Sequence, residues 1–242
     1  MYSIETYGLT KKYKDVTAVD GLDLKVIKGE MFSLLGVNGA GKTTAIRMLC
    51  CLTQPNSGTA TVGGADILTQ TDKVKRIIAI SPQETAVAPG LSVKENLELI
   101  AGLYGFSKDK AEKKVRELSE TFGLVAILGK KAGKLSGGWQ RRLSIAMALI
   151  SEPEILFLDE PTLGLDVIAR SEMWDVIRSL KGRVTVILTT HYMEEAEMLS
   201  DRIGIMKNGK LLTVGTASEI IEKTGKTRFE EAFISVVKEA SL

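Results

Sequence analysis

The 242-residue sequence has little cysteine, no excess of either charge and no long apolar run. Its two cysteines, Cys50 and Cys51, are adjacent and follow apolar, helix-like sequence. Two neighbouring thiols make neither a disulfide framework nor a metal-ligand spacing, so they read as buried thiols of a reducing compartment. Lys and Arg number 32 against 30 Asp and Glu, a formal charge of +2. That balance is too mild to draw the chain onto nucleic acid or an anionic membrane surface. The longest apolar run, LSIAMALI, falls far short of the roughly 18 residues that a membrane-crossing helix needs. The opening MYSIETYGLTKKY lacks the apolar centre of a signal peptide. A cytosolic protein is expected, with any membrane part of its work falling to a separate chain. No internal repeat and no low-complexity tract is visible.

What is present suits a folded domain. Hydrophobic residues make up 44% and charged residues 26%, enough apolar material for a core and too much for disorder. The length allows one large domain or a core with a subdomain. Val19, Leu22, Leu24 and Val26 read as strand residues, with turns at Asp20-Gly21 and Lys28-Gly29. Met31 to Leu35 reads as a short apolar strand, and KTTAIRMLCCL as a helix. Residues 58 to 81 read as strand-rich, with a turn at Gly63-Gly64 and RIIAISPQ ending a strand. From about residue 91 helical periodicity takes over, with a capping box at Ser92 and Glu95 and an N-cap at Ser107. EILFLDEP and RVTVILTTH read as fully buried strands, with helix-like segments between and after them. TRFEEAFISVVKEASL reads as a terminal amphipathic helix. Alternating strands and helices imply an α/β core with a mainly parallel sheet.

GVNGAGKTT, Gly36 to Thr44, fits the phosphate-loop pattern without a gap and lies between a strand and a helix. Backbone N–H groups of Gly36, Val37, Asn38, Gly39, Ala40 and Gly41 can wrap a β-phosphate, and the helix N-terminus adds positive potential. The three glycines let the backbone turn tightly. Lys42 reaches the β- and γ-phosphates, and the Thr43 hydroxyl ligates Mg²⁺; Thr44 closes the motif. In ILFLDEP, Asp159 and Glu160 end a buried strand, where open α/β sheets bind their ligands. Alone the pair could equally be a solvated strand end. Beside a phosphate loop, Asp159 becomes a Mg²⁺ ligand and Glu160 a general base for water. KLSGGWQRR is an odd helix start: Gly137 and Gly138 each cost roughly 1 kcal/mol against alanine. They suit a place where backbone must come close to something. His191 is the single histidine; at a strand end, such a residue is usually structural.

The phosphate loop, LSGGWQ, ILFLDEP, LGLD and a histidine after a strand, in that order, resemble an ATP-binding cassette (ABC) ATPase across essentially the whole chain. The resemblance implies a P-loop NTPase (RecA-like) α/β core with a mainly parallel sheet, an antiparallel β subdomain and a helical subdomain. It divides the chain into a core of residues 1–84 and 140–215, a helical subdomain of 85–139 carrying the signature, and a helical tail of 216–242. It implies ATP and Mg²⁺ as cofactors and ATP hydrolysis as the activity. Tyr13 would stack on adenine; read alone it is a half-exposed tyrosine. Gln83 would contact Mg²⁺ or the attacking water and sense the transport partner, and His191 would hold the γ-phosphate. Asp166 would lie between two subunits, and it also reads as a helix N-cap. Ser136, Gly137 and Gly138 would bind the γ-phosphate of ATP held by a second cassette in a head-to-tail dimer. The residue after them departs from the common glutamine: Trp139 either packs on its own subunit or stacks near ribose. The partners implied are that second cassette and separate transmembrane permease subunits, with no nucleic acid. The chain would sit in the cytoplasm, peripheral to the membrane's inner face. THYMEEAE and FEEAF resemble drug, antibiotic and polysaccharide exporters more than importers. The rival reading is a soluble cassette acting on ribosomes or nucleic acid.

Overall fold

The computed structural model describes residues 1–240. The chain opens with β1 (Tyr2–Tyr13), β2 (Val16–Leu22) and β3 (Lys25–Ile27), then β4 (Met31–Leu35) and α1 (Lys42–Leu49). β5 (Ser57–Val62), β6 (Ala65–Asp66), α2 (Thr71–Ile77) and β7 (Ile78–Ser81) follow. A helical stretch comes next, with α3 (Val93–Leu103), α4 (Lys108–Thr121) and α5 (Gly137–Leu149). β8 (Ile155–Asp159), α6 (Val167–Arg178), β9 (Thr185–Thr190) and α7 (Met193–Leu199) alternate after it. The hairpin β10 (Arg202–Lys207) and β11 (Lys210–Gly215) leads to α8 (Ala217–Thr224) and α9 (Phe229–Glu239). Ser241 and Leu242, the end of the expected terminal helix, lie outside the described residues.

Two sheets form. The first is antiparallel, in the order β2-β1-β5-β6 with β3 also on β1. The second has the order β11-β10-β4-β9-β8-β7 and is parallel except for the edge hairpin. Its strands alternate in whom they face, the period of two that a pleat imposes. Ile155, Phe157 and Ile187 join the cluster under the antiparallel sheet. Leu156, Leu158, Val186 and Leu188 join the cluster of the helical stretch, with Val93, Leu97, Val115 and Phe122. The parallel sheet thus has a buried layer on each face, one shared with the antiparallel sheet and one with the helical stretch. The capping box at Ser92–Glu95 and the Ser107 cap form as expected.

Three local expectations are corrected. Residues 58 to 81 are not strand throughout: Thr71–Ile77 is a helix whose one buried residue is Val74, so its polar face is solvated. Asp20-Gly21 does not turn the chain; Gly21 sits inside β2 at φ +58, where β1 and β2 shift register. The segment after α7 is not only helical, because Asn208-Gly209, both at positive φ (+48 and +80), close the β10–β11 hairpin. Asn-Gly is the dipeptide that a tight hairpin favours. Cys50 is buried as expected, whereas Cys51 is only half-buried, at φ +55.

Candidate nucleotide site

β4, β9 and β8 are neighbours in the parallel sheet, so the loops leaving their C-terminal ends meet. That adjacency brings together the phosphate loop after Leu35, the acidic pair ending β8 and His191 after β9. The loop, Glu160 and His191 wall a cavity of about 560 Å³, lined also by Val16, Thr17, Ala18, Gln83 and Asn208; Asp159 is linked to it through Thr43. This size suits a small-molecule ligand.

Sterics dictate the loop's glycines. A Cβ on Gly36 would come within 2.4 Å of the Met206 carbonyl, and one on Gly41 within 2.3 Å of the Ala18 carbonyl. Gly39 and Gly41 also hold φ of +79 and +103, conformations that other residues rarely adopt. Gly41 is the N-cap of α1, without a side-chain cap and with no acidic residue in the first turn. The open N–H groups of that turn therefore remain available to an anion.

Charge in the cavity is internally balanced. Lys42 is buried; its Nζ donates to Gly36 O at 2.7 Å and Val37 O at 3.3 Å, and lies 3.2 Å from Glu160 Oε1. Glu160 Oε2 is 2.7 Å from His191 Nδ1. The Glu160 backbone is left-handed, φ +50, a conformation that costs a side-chain-bearing residue about 1–2 kcal/mol. Bonds on both sides hold it there: its N–H donates to Thr189 O at 3.2 Å and Thr189 Oγ1 at 3.0 Å, and its carbonyl accepts from Leu163 N at 3.2 Å. The turn aims the carboxylate back across the sheet at Lys42. Asp159 Oδ1 accepts from Thr43 Oγ1 at 3.1 Å and Thr189 Oγ1 at 2.5 Å. Thr43, Asp159 and, at the rim, Gln83 present only oxygen ligands, the hard donor set that Mg²⁺ takes.

The remaining expected residues lie elsewhere. Tyr13 is about half exposed, paired with Val16 across β1 and β2, with the Lys11 ammonium 5.2 Å from its ring centre. Val16 lines the cavity, and Tyr13 stands beside that wall. Ser136 is the exposed N-cap of α5, and its side chain makes no cap bond. A Cβ on Gly137 would meet nothing in this chain, and one on Gly138 would meet only ordinary contacts, the nearest Ala169 Cβ at 3.5 Å. Nothing inside the chain therefore demands glycine there. Asp166 caps α6, accepting from Ala169 N at 2.8 Å. Trp139 packs against its own helical core; the Arg142 guanidinium lies 4.7 Å from its ring and bonds Glu172 at 2.5 Å.

Sequence reading missed several groups. Arg141, one turn into α5, is buried and donates to carbonyls of Pro82, Gln83 and Glu160. Glu195 is fully buried; its Oε1 accepts from Thr162 Oγ1 at 2.7 Å and Trp174 Nε1 at 3.2 Å. Burial raises its carboxyl above the usual range despite those donors. Its place four residues past His191 gave a signal, since a charged residue on the inner face of a short helix needs partners. Arg141 gave none, because its three acceptors are backbone.

A nucleotide-sized cavity behind a phosphate loop, facing a strand-end acidic pair, defines a P-loop ATPase. This chain belongs to the ABC transporter family: residues 19–163 match the family model described as ABC transporter. Among its relatives is the daunorubicin/doxorubicin resistance ATP-binding protein DrrA of Streptomyces peucetius, 43% identical over 224 residues. That match covers 92% of this chain and 68% of that protein. The linearmycin resistance ATP-binding protein LnrL of Bacillus subtilis (strain 168) is 39% identical over 240 residues, 99% of this chain and 77% of that protein. A solved ATP-binding cassette, a dimer in a post-hydrolysis state with ADP and Pi, superposes with a TM-score of 0.79 at 27% identity. It covers 88% of this chain and 98% of its own. The chain is accordingly an ATP-binding and ATP-hydrolysing subunit of an ABC transporter.

Proposed function

We propose that this cassette closes head to tail on a second cassette around two ATP molecules and powers export of a drug-like compound through separate membrane chains. The observation that carries the closure is Ser136–Gly138. This stretch is open, uncapped and free of any internal need for glycine, at the start of a 13-residue helix whose dipole favours an anion. The anion it suits is a γ-phosphate held by the partner. Export is favoured by the kinship with resistance ATP-binding proteins.

Within one chain, the N–H groups of Gly36 to Thr44 would cradle the phosphates and Lys42 would neutralise them. Thr43, Asp159 and Gln83 would hold Mg²⁺, which when bound would offset charge on the β- and γ-phosphates. Glu160 would take the proton of the attacking water, and His191 would keep that carboxylate oriented and contact the γ-phosphate. Tyr13 would reach adenine from beside the Val16 wall, and Asp166 would meet the partner across the dimer. Among the described residues no helix is long and apolar enough to cross a membrane. An apolar cleft of about 310 Å³ runs between sheet and helical stretch, walled by Leu52, Ile80, Ile100, Tyr104 and Met147. Leu52 and Tyr104 in its wall are more than half exposed. This cleft supports docking of a permease chain, which would hold the cassette at the inner face of the membrane. The helical subdomain would then be residues 85–139, beside a core of 1–84 and 140–215.

Ser136→Arg tests the reading. The side chain lies outside this chain's own cavity, so ATP binding by the isolated chain should stay within about twofold while hydrolysis stops, because Arg would fill the space of the partner's phosphate. Equal loss of binding would show that the motif serves its own nucleotide.

A further inference from the structure

Arg141, which is 4% exposed, is a buried cation that the catalytic groups leave unused. Nη1 donates to Pro82 O at 2.5 Å, and Nη2 to Gln83 O at 2.6 Å and Glu160 O at 3.2 Å. Burial lowers the guanidinium from its ordinary value, with Asp159, Glu195 and Glu160 acting the other way. It stays a cation at any pH the protein meets. A buried cation whose hydrogen bonds go to neutral carbonyls is costly, and an apolar side chain would fill the space more cheaply. Stability therefore does not account for it, and its position does. Pro82 and Gln83 begin the loop that carries Gln83 to the cavity rim. The Glu160 carbonyl belongs to the left-handed turn that aims the base. Arg141 itself rides on α5, whose first residues are the signature. The guanidinium is a rigid flat fork, so three carbonyls bound to it keep fixed relative places. α5 cannot rotate without moving the Gln83 loop and the Glu160 backbone.

We propose that Arg141 is a positioning residue that locks the signature helix, the Gln83 loop and the Glu160 backbone into one unit. Engagement of Ser136–Gly138 by a partner's phosphate is thereby felt at this chain's own hydrolytic site. The inference rests on the role assigned above to Ser136. Arg141 touches neither the cavity nor the reacting atoms.

The test sets Arg141→Gln and Arg141→Lys beside Glu160→Gln in the full chain. Gln loses the charge; Lys keeps it as a point that cannot span three acceptors. Both variants should lose on the order of tenfold in kcat per folded molecule, with KM and equilibrium ATP affinity within about twofold. A purely structural staple would lower the melting temperature and leave kcat per folded molecule unchanged. A kcat within about twofold of wild type in either folded variant, while Glu160→Gln is inactive, overturns the inference. Normal turnover by Glu160→Gln instead overturns the assignment of the hydrolytic site. Hydrogen exchange on the unmutated chain gives a readout that needs no variant to fold. Amides of residues 83–86 and 137–141 should gain protection at the same ATP concentration. Different midpoints, or protection of one segment or of neither, count against the coupling.

Discussion

Replacing Glu160 with glutamine separates its ion pair with Lys42 from the base role proposed for it. The carboxylate is the counter-charge of Lys42, 3.2 Å away, with the two side chains 7% and 5% exposed. Unit charges at that distance attract by about 5 kcal/mol at an effective permittivity of about 20. Glutamine keeps an oxygen that accepts from Lys42, and a hydrogen bond from a charged donor is worth about 1.5–3 kcal/mol. The net loss is therefore about 2–3 kcal/mol, or about 5–10 °C in melting temperature for a chain of this length. ATP reverses the comparison. Its phosphates supply the missing counter-charge, and no carboxylate competes for Lys42 or repels the γ-phosphate. The ATP-induced rise in melting temperature should exceed that of wild type by about the same 5–10 °C. Turnover should fall by about 10²–10⁴-fold, the usual worth of a general base. A closed dimer should accumulate, seen in light scattering as a doubling of the 26.2 kDa mass with ATP. Thermal scans with and without MgATP measure the first two effects. A nucleotide-free variant that melts with wild type would refute the Lys42–Glu160 pair as an energetic link. Normal turnover would remove Glu160 from the base role.

Two further outcomes follow from single positions. Gly36→Ala puts a Cβ 2.4 Å from a backbone carbonyl of β10, which must move; it should cost about 1–3 kcal/mol in urea unfolding and weaken nucleotide binding, and an unchanged midpoint would contradict the close approach. Glu195 has a folded-state pKa raised above its usual 4.5, so the unfolded chain releases its proton first as pH rises. Wild type should lose stability from about pH 4.5 upward through the raised value, and Glu195→Gln should lack that slope. The variant's stability relative to wild type should therefore be higher at pH 8 than at pH 5; a pH-independent difference would show that the carboxyl is ionised in the fold.

Most of the architecture could be read from the sequence pattern, because the strands at Met31–Leu35, Ile155–Asp159 and Thr185–Thr190 are short, mainly apolar or β-branched segments, buried throughout, with candidate site residues at or just past their ends. Thr71–Ile77 was misread since a single buried valine leaves no apolar face to detect. The hairpin of β10 and β11 was legible in Asn208-Gly209 and passed over. At the site, residues that act through side chains in a fixed spacing were visible: Lys42, Thr43, Asp159, Glu160 and His191 all meet at one cavity or its edge. The order of strands that makes them meet was not, since no local pattern says that β9 lies between β4 and β8. Arg141 escaped because its meaning lies in carbonyls of other segments, which have no letter in a sequence.

A triphosphate entering this site would meet a buried carboxylate and a buried ammonium that already hold each other. Glu160 is held by Lys42 on one oxygen and His191 on the other, so both carboxylate oxygens have partners within the chain. Lys42 is in turn satisfied by Gly36 and Val37 carbonyls. A triphosphate entering the loop brings several negative charges to the same ammonium, against one on Glu160, and the pair must part. In the role proposed above for Glu160, its carboxylate would then keep His191 as its side-chain partner and face the γ-phosphate. On that proposal, occupancy of the cavity would change the partners of the Glu160 carboxylate directly. What that local exchange cannot do is sense a second subunit. For that the chain needs a link from the exposed end of α5 to the Glu160 backbone, and Arg141 is the residue whose bonds run between them.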